Sequence, residues 1–480
     1  MQAKDDHLTT SPSSPTRRQL IIGTGAVALL SGCGGDVFDS RSDPVSVGPV
    51  SPSPTPSPTP TPPPTAFVGA IYAGTNRLFG NSIAAFGRSA NGMLTPIAEY
   101  ATGGFGGIFD GSGEGLDPLI SEDSIVAVDN RFLLAVNPGS NTIASLRINA
   151  NFSLTLIGTA PTGGVGPVTI AYRNGLVYVA NVDTDGAFLG PPDQSGSITG
   201  FRLDLASGQL TPIAGSTRNL GSRPSNIEFS PDGRLLVVSS VNAGSSMLAS
   251  RSTAELTTYG VLADGNLTAG AQGTAASTLP GNAAGRNLPT AIGFEIVERG
   301  GRNFVIATEA REFLPNGNPG MLPMFQTGSV STWELNGDGS LSPRSQDVLT
   351  GPSVTSGPTS ACWIVVAPNR ESFWVASASG ATISAYRLNN DGTVSLIDGR
   401  AAAGSAAVPG AANPLATADG FIDIAVSSDG AFVYQLLGVE GTINVYRVGA
   451  NSSLSLIQEA TALLPETNIQ GLVSVTGPVS

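Results

Sequence analysis

The sequence predicts an all-β protein, a seven-bladed β-propeller closed by pairing of its C-terminal strand with the N-terminal blade. Three observations lead there. A unit of four strands recurs along the chain. The composition favours strands and turns over helix, with 61 Gly and 35 Pro among 480 residues, 40% apolar residues and only 12% charged. Finally, the chain ends on a strand-like segment, "NIQGLVSVTG" (468–477), after which no partner strand follows.

The repeat is plainest near the end of the chain. "CWIVVAPNRESFWVASASGATISAYRLNNDGTVSLIDGR" (362–400) and "IDIAVSSDGAFVYQLLGVEGTINVYRVGANSSLSLIQEA" (422–460) follow one order. An apolar strand, a polar turn and a second apolar strand come first. A small-residue loop, an alternating strand, an Asn/Asp-Gly-like turn and a final strand complete the unit. The same order returns at 124–158, 169–215, 226–272 and 289–347. A repeat of about 40–60 residues with this strand content is a propeller blade.

Six copies open on an apolar strand, near residues 123, 166, 224, 289, 360 and 420. The first copy does not. It starts at "AIYAGTN" (70–76), continues "NSIAAFGRSANGMLTPIAEYA", and so supplies only strands two, three and four. "IQGLVSVTG" matches the missing strand and lies at the other end of the chain. Joining the two ends makes a ring of seven and removes an open edge.

The turns agree with this reading. "SANGM" (89–93), "SPDGR" (230–234), "NGDGS" (336–340), "NDGT" (390–393) and "SSDG" (427–430) place Asn or Asp beside Gly. Such residues take positive φ at little cost, as tight hairpins require. The third strands alternate, with Ile383, Ala385, Tyr386 and Leu388 in one copy and Ile443, Val445, Tyr446 and Val448 in another.

The segment before the repeats reads as an address, an anchor and a spacer. In "TRRQLIIGTGAVALLSGCGG" (16–35), Arg17 and Arg18 precede an apolar run too short to span a bilayer. The paired arginines resemble a twin-arginine export signal, with Leu20 where Phe is common. "LLSGC" resembles the bacterial lipobox, which implies lipidation of Cys33, cleavage before it and a membrane partner through the lipid. Gly34 after Cys33 favours the outer membrane over inner-membrane retention. Residues 43–65, "DPVSVGPVSPSPTPSPTPTPPPT", form no core and favour extended polyproline II. At about 3.1 Å per residue such a tether reaches tens of Å. The expected organisation is a signal peptide over 1–32, a Pro/Ser/Thr-rich linker over 33–65 and the propeller over 66–480. The expected location is the bacterial cell envelope, lipid-anchored, at the outer membrane or facing the periplasm.

Composition also excludes chemistries. The formal net charge is −13, which repels phosphate backbones and argues against a nucleic-acid partner. The single histidine, His7, lies in the segment expected to be removed. The mature chain then has no His-based acid/base catalysis, no Ser-His-Asp triad and no imidazole metal ligand. Glycine-rich "TGGFGG" and "PTGGVG" lack the strand-to-helix context and the lysine of a phosphate loop, so no cofactor is expected. Cys33 and Cys362 have no metal-ligand spacing and no reason to pair. Cys362, beside Trp363 in an apolar strand, reads as a buried thiol.

The motifs "IYAGTN…NSIAAFGRSANGMLTPI" (71–97), "RPSNIEFSPDGRLLVVSS" (223–240) and "GTINVYRVGANSSLSLI" (441–457) resemble the lactonase-type seven-bladed propellers grouped with 6-phosphogluconolactonase. The resemblance covers about 66–477 and rests mainly on turn and strand grammar. It implies the fold, and it raises lactone hydrolysis as an activity. One departure bears on that activity. The family often places His after Pro at the entrance to a first strand, whereas "RPSN" has Ser225 and "LPTA" has Thr290.

Ligands of propellers commonly sit at one channel mouth, on loops after second strands and between blades. "TEAREF" (308–313), read as such a loop, is the densest charge cluster. Glu309 and Arg311 are its catalytic candidates, for activating water or holding a sugar acid. Glu312, Arg223 and Arg286 are candidates for binding an anionic ligand. "FDGSGEGLDPLISED" (109–123) gathers Asp110, Glu114, Asp117, Glu122 and Asp123, an oxygen-rich loop without EF-hand spacing, and no metal is assigned to it. Two functional classes result. One is an envelope-anchored propeller that binds a small molecule or protein at its channel mouth. The other is a lactonase-like hydrolase acting on a sugar-acid lactone.

Overall fold

The structure, a computed structural model, describes residues 67–109, 117–183, 196–241, 256–275, 289–313, 324–404 and 420–477. The described residues form seven antiparallel sheets, each a blade. Blade 1 holds β1 (Gly69–Gly74), β2 (Ser82–Arg88) and β3 (Leu94–Ala101). Blade 2 holds β4 (Ile125–Val128), β5 (Phe132–Asn137), β6 (Thr142–Ile148) and β7 (Leu154–Pro161). Blade 3 is β8 (Pro167–Arg173), β9 (Leu176–Asn181), β10 (Ser197–Leu203), β11 (Leu210–Pro212) and β12 (Arg218–Asn219), the last two both pairing with β10. Blade 4 is β13 (Arg223–Phe229), β14 (Leu235–Val241), β15 (Leu256–Gly260) and β16 (Gly273–Ala275). Blade 5 is β17 (Thr290–Arg299), β18 (Arg302–Phe313), β19 (Met324–Leu335) and β20 (Leu341–Leu349). Blade 6 is β21 (Ala361–Val366), β22 (Ser372–Ser377), β23 (Thr382–Leu388) and β24 (Val394–Ala403). Blade 7 is β25 (Phe421–Val426), β26 (Phe432–Leu437), β27 (Thr442–Val448) and β28 (Leu454–Ala460).

The ring closes as expected. β29 (Leu472–Thr476) pairs antiparallel with β1, from Gly69 opposite Thr476 to Ala73 opposite Leu472. It is the innermost strand of blade 1, so the two ends of the folded part share one sheet.

Each sheet is covered on both faces by its neighbours, so second strands such as β5, β14 and β26 are buried at every position. The blades are also stitched by hydrogen bonds. From second strands, the Tyr72 hydroxyl donates to the Phe152 carbonyl at 2.9 Å, Tyr178 to Gly265 at 2.8 Å and the Trp374 indole N–H to Ser452 at 3.0 Å. Each acceptor lies on the turn between third and fourth strands of the next blade. Glycine at these turns answers two demands. Gly92 has φ 90° and Gly392 φ 83°, and a Cβ on either would run into a phenylalanine ring, Phe432 or Phe304, of the preceding blade.

The alternation of strands fixes two faces of the ring. Turns between first and second strands and between third and fourth strands lie on one, here the turn face. Blade linkers and the loops after second strands lie on the other, here the linker face.

Candidate functional site

On the linker face, the connection from blade 1 to blade 2 does not stay at the rim. Asn76 and the backbone at Gly106 and Gly107 hold its first part. Its last part, 118–123, crosses the axis. Ser121 donates through its hydroxyl to the Val168 carbonyl of blade 3 at 2.9 Å. Its carbonyl accepts from the Trp363 indole of blade 6 at 3.0 Å and from the Gln470 amide, just before β29, at 2.7 Å. The Glu122 N–H donates to Ser225 of blade 4 at 3.1 Å, and the Ile170 N–H of blade 3 donates to the Asp123 carbonyl at 3.0 Å. Only the central axis brings blades 1, 3, 4 and 6 within reach of one short peptide. Ile120 at φ 48° and Asp123 at φ 56° take left-handed backbone. That conformation is costly for a β-branched residue and is held here by the surrounding bonds.

Arg223, a ligand-binding candidate, is 3% exposed. Its guanidinium Nη2 donates to the Phe109 carbonyl at 3.0 Å and to the Leu119 carbonyl at 2.9 Å, clamping the crossing segment. Of the acidic loop, Asp110 and Glu114 lie outside the described residues. Asp117 accepts from the Ile120 N–H at 3.1 Å and caps the local turn. Glu122 turns into the channel, where Oε1 accepts from the Ile364 N–H at 2.8 Å and Oε2 from the Asn226 amide at 3.3 Å. Gly293 leaves the room that Glu122 occupies, since a Cβ there would collide with its carboxylate. Among the described residues, no group of three or more His, Cys, Asp or Glu side chains is placed to hold a metal ion.

Carboxyl groups converge on this axis. Glu122 and Asp123 come from the crossing segment, Glu228 from β13, Glu295 from β17 and Asp423 from β25. Burial raises the pKa of each, foremost through loss of hydration. Mutual repulsion adds to the shift at Glu122, Glu228, Glu295 and Asp423. Asp123 is pushed up to about 7 and Glu295 to about 8. Glu122 and Asp423 are buried, while Asp123, Glu228 and Glu295 keep a water-facing edge. Backbone N–H donors at Ile364, Ile296 and Ile424 oppose the rise at Glu122, Glu228 and Asp423.

These groups hold their protons more tightly in the folded protein than in the unfolded chain. Their contribution to stability is therefore complete below an ordinary carboxyl pKa of about 4. It is lost as pH rises through about 7 for Asp123 and about 8 for Glu295. The melting temperature is expected to fall between about pH 4 and about pH 8, and Glu295→Gln is expected to flatten that fall. Thermal melts of both proteins across this range check it, and parallel curves for the two would refute the channel origin.

The pair Glu309 and Arg311 lies not on a loop but on β18, which runs on to Phe313 and pairs with β19 beyond Glu309. The strand continues because a bulge between Glu309 and Arg311 absorbs the local mismatch. Both side chains are fully buried. The Arg311 Nη2 donates to Glu309 Oε2 at 2.6 Å and lies 3.2 Å from the Asp347 carboxylate. The Ser329 hydroxyl also donates to Glu309 Oε2, at 2.5 Å. The other Glu309 oxygen, Oε1, accepts no hydrogen bond among the described residues. Glu312 falls on the same strand, its backbone opposite Phe325. Arg286 and Cys33 lie outside the described residues. Cys362 is buried.

Sequence reasoning did not anticipate Asp347 and Ser329 beside Glu309, nor Glu228, Glu295 and Asp423 on the axis. For the last three a signal exists. "NIEF", "GFEI" and "FIDI" each set one carboxylate inside an apolar first strand, and first strands line the channel.

No family model matches the chain, and no curated protein matches its sequence. Solved structures share its fold. A periplasmic gluconolactonase from Pseudomonas aeruginosa, PpgL, superposes with a TM-score of 0.57 at 16% identity, covering 85% of this chain and 99% of its own. A Bacteroides fragilis protein provisionally named a 6-phosphogluconolactonase gives 0.54 at 14% identity, covering 86% and 100%. A Lactobacillus plantarum protein gives 0.55 at 17% identity, covering 85% and 99%. The chain thus shares the propeller fold of these proteins, with seven blades. At such identity the likeness establishes architecture alone.

Proposed function

We propose that this chain is an exported lipoprotein, anchored through Cys33, whose propeller binds a small molecule or a protein partner in the cell envelope. One observation carries the binding reading. The linker-face channel is crossed by the chain's own 118–123, and the catalytic candidates Glu309 and Arg311 are buried and paired with each other. Arg223 clamps backbone carbonyls, and Arg311 is taken up by Glu309 and Asp347. The export motif, the lipobox-like "LLSGC" and the Pro-rich spacer support the envelope location.

A second reading is a lactonase-like hydrolase. The fold shared with a gluconolactonase favours it, as does the Glu309 oxygen that accepts no hydrogen bond. In that reading Glu309 takes a proton from water, the water oxygen adds to the lactone carbonyl, and the ring C–O bond breaks as Glu309 returns that proton to the departing ring oxygen, giving a hydroxy acid.

One experiment separates the two. Detergent-solubilised full-length protein is assayed against glucono-δ-lactone, with Glu309→Gln in parallel. No acceleration over spontaneous opening is expected. Acceleration that disappears in the variant would replace binding by catalysis. In cell fractionation, Cys33→Ala is expected to move the protein out of the membrane pellet, and an unchanged distribution would remove the lipid anchor from the proposal.

A further inference from the structure

The turn face carries a packing device that recurs in three of the seven blades, and blade 6 has a small polar residue in its place. At the second-strand position opposite the penultimate residue of the third strand, blades 2, 5 and 7 carry Phe132, Phe304 and Phe432. Each ring lies against a turn glycine of the next blade, Gly208, Gly392 or Gly92. In blades 2 and 7 the residue opposite is an arginine that stacks on the ring. Arg147 lies 5.1 Å from the Phe132 centroid and Arg447 lies 5.3 Å from that of Phe432.

Blade 6 has Ser372 at this position, opposite Arg387. The facing turn of blade 7 presents Asn451 and Ser452, at φ 53° and 58°. Where the ring is missing, a cleft of about 360 Å³ opens between blades 6 and 7, lined by Ser372, Trp374, Arg387, Asn451 and Ser452. That size suits a small ligand. Arg387 is exposed, and its guanidinium makes no hydrogen bond, ion pair or ring contact among the described residues. The two carboxylates at the rim are occupied, with Glu371 3.5 Å from Arg299 and Asp429 3.4 Å from Arg88. One cation is therefore left without a counter-charge.

We propose that this cleft binds a small hydroxylated carboxylate, with the Arg387 guanidinium taking the carboxylate and Ser372 and Asn451 meeting the hydroxyl groups. The planar guanidinium fork matches a carboxylate in two parallel hydrogen bonds. A single uncompensated cation suits a monoanion better than a dianionic phosphate. Trp374, fixed by its N–H bond to Ser452, supplies the apolar wall. The site lies on the face opposite the crossing segment and is independent of the function proposed above.

The test uses the full-length protein, titrated with D-gluconate and separately with inorganic phosphate, followed by calorimetry and tryptophan fluorescence. Gluconate is expected to bind and phosphate to bind roughly tenfold more weakly or less. Arg387→Gln is expected to weaken gluconate roughly tenfold or more, the loss of a charge-assisted pair. Ser372→Phe is expected to abolish binding, because it restores the ring and gives Arg387 a face to stack on, while the melting temperature holds or rises. Should Ser372→Phe melt early, Arg387→Gln, a surface change, carries the test alone. Absence of gluconate binding at about 10 mM, unchanged affinity in Arg387→Gln, or equal binding of phosphate would overturn the proposal.

Discussion

Deleting residues 466–480 is expected to leave an aggregated or protease-sensitive product. The deletion removes β29, and with it every strand pair from Gly69–Thr476 to Ala73–Leu472. It also removes Ile469, Leu472 and Val475, which are 0%, 7% and 2% exposed. Burial of such side chains contributes about 1.5–3 kcal/mol each. Together they rival the ~5–15 kcal/mol net stability of a typical folded domain. The Gln470 amide that holds the Ser121 carbonyl goes as well, so the crossing segment loses a tie. The newly exposed edge of β1 would then invite intermolecular pairing. Size-exclusion chromatography and limited proteolysis read the outcome. A monomeric truncation as resistant as the parent would contradict closure through β29.

The next largest effect is expected from Arg311→Ala. It leaves Glu309 buried, and Asp347 half-buried, without the guanidinium that both contact, a change that costs about 3–5 kcal/mol in comparable buried pairs. Arg311→Ala combined with Glu309→Gln should recover part of the loss, since neutralising Glu309 removes one of the uncompensated charges. Denaturant midpoints of the two single variants and the double variant measure the coupling. A cost for Arg311→Ala no larger than for the exposed Arg234→Ala, with no recovery in the double variant, would show that the pair contributes little.

Much of the architecture was legible in the chain. Strands alternate, Asn/Asp-Gly turns recur, and a blade lacking one strand at the start was matched by a lone strand at the end. Those are local patterns, and each is written in consecutive residues. Glu309 was also visible as a charged residue of note, but its setting was misjudged. "TEAREF" reads as a loop because of its charges. In the structure β18 runs through it, since Ser329 on the adjacent β19 and Asp347 on β20 of the same blade answer those charges. Likewise "PLISED" reads as part of an acidic surface loop, yet it crosses the channel because Arg223, Trp363 and Gln470 each bind its carbonyls.

The sequence by itself determined the number of blades, the turns between strands and the pairing of the two ends, because a β-repeat carries its period and its hairpin residues in short range. Tertiary structure alone decided what each polar residue does. Arg223 became a clamp, five carboxyl groups came to share one axis, and Ser372 left a gap where Phe132, Phe304 and Phe432 fill one. The physical reason is that a side chain's charge state and partners depend on which blades meet around it, and residues more than a hundred positions apart set that environment.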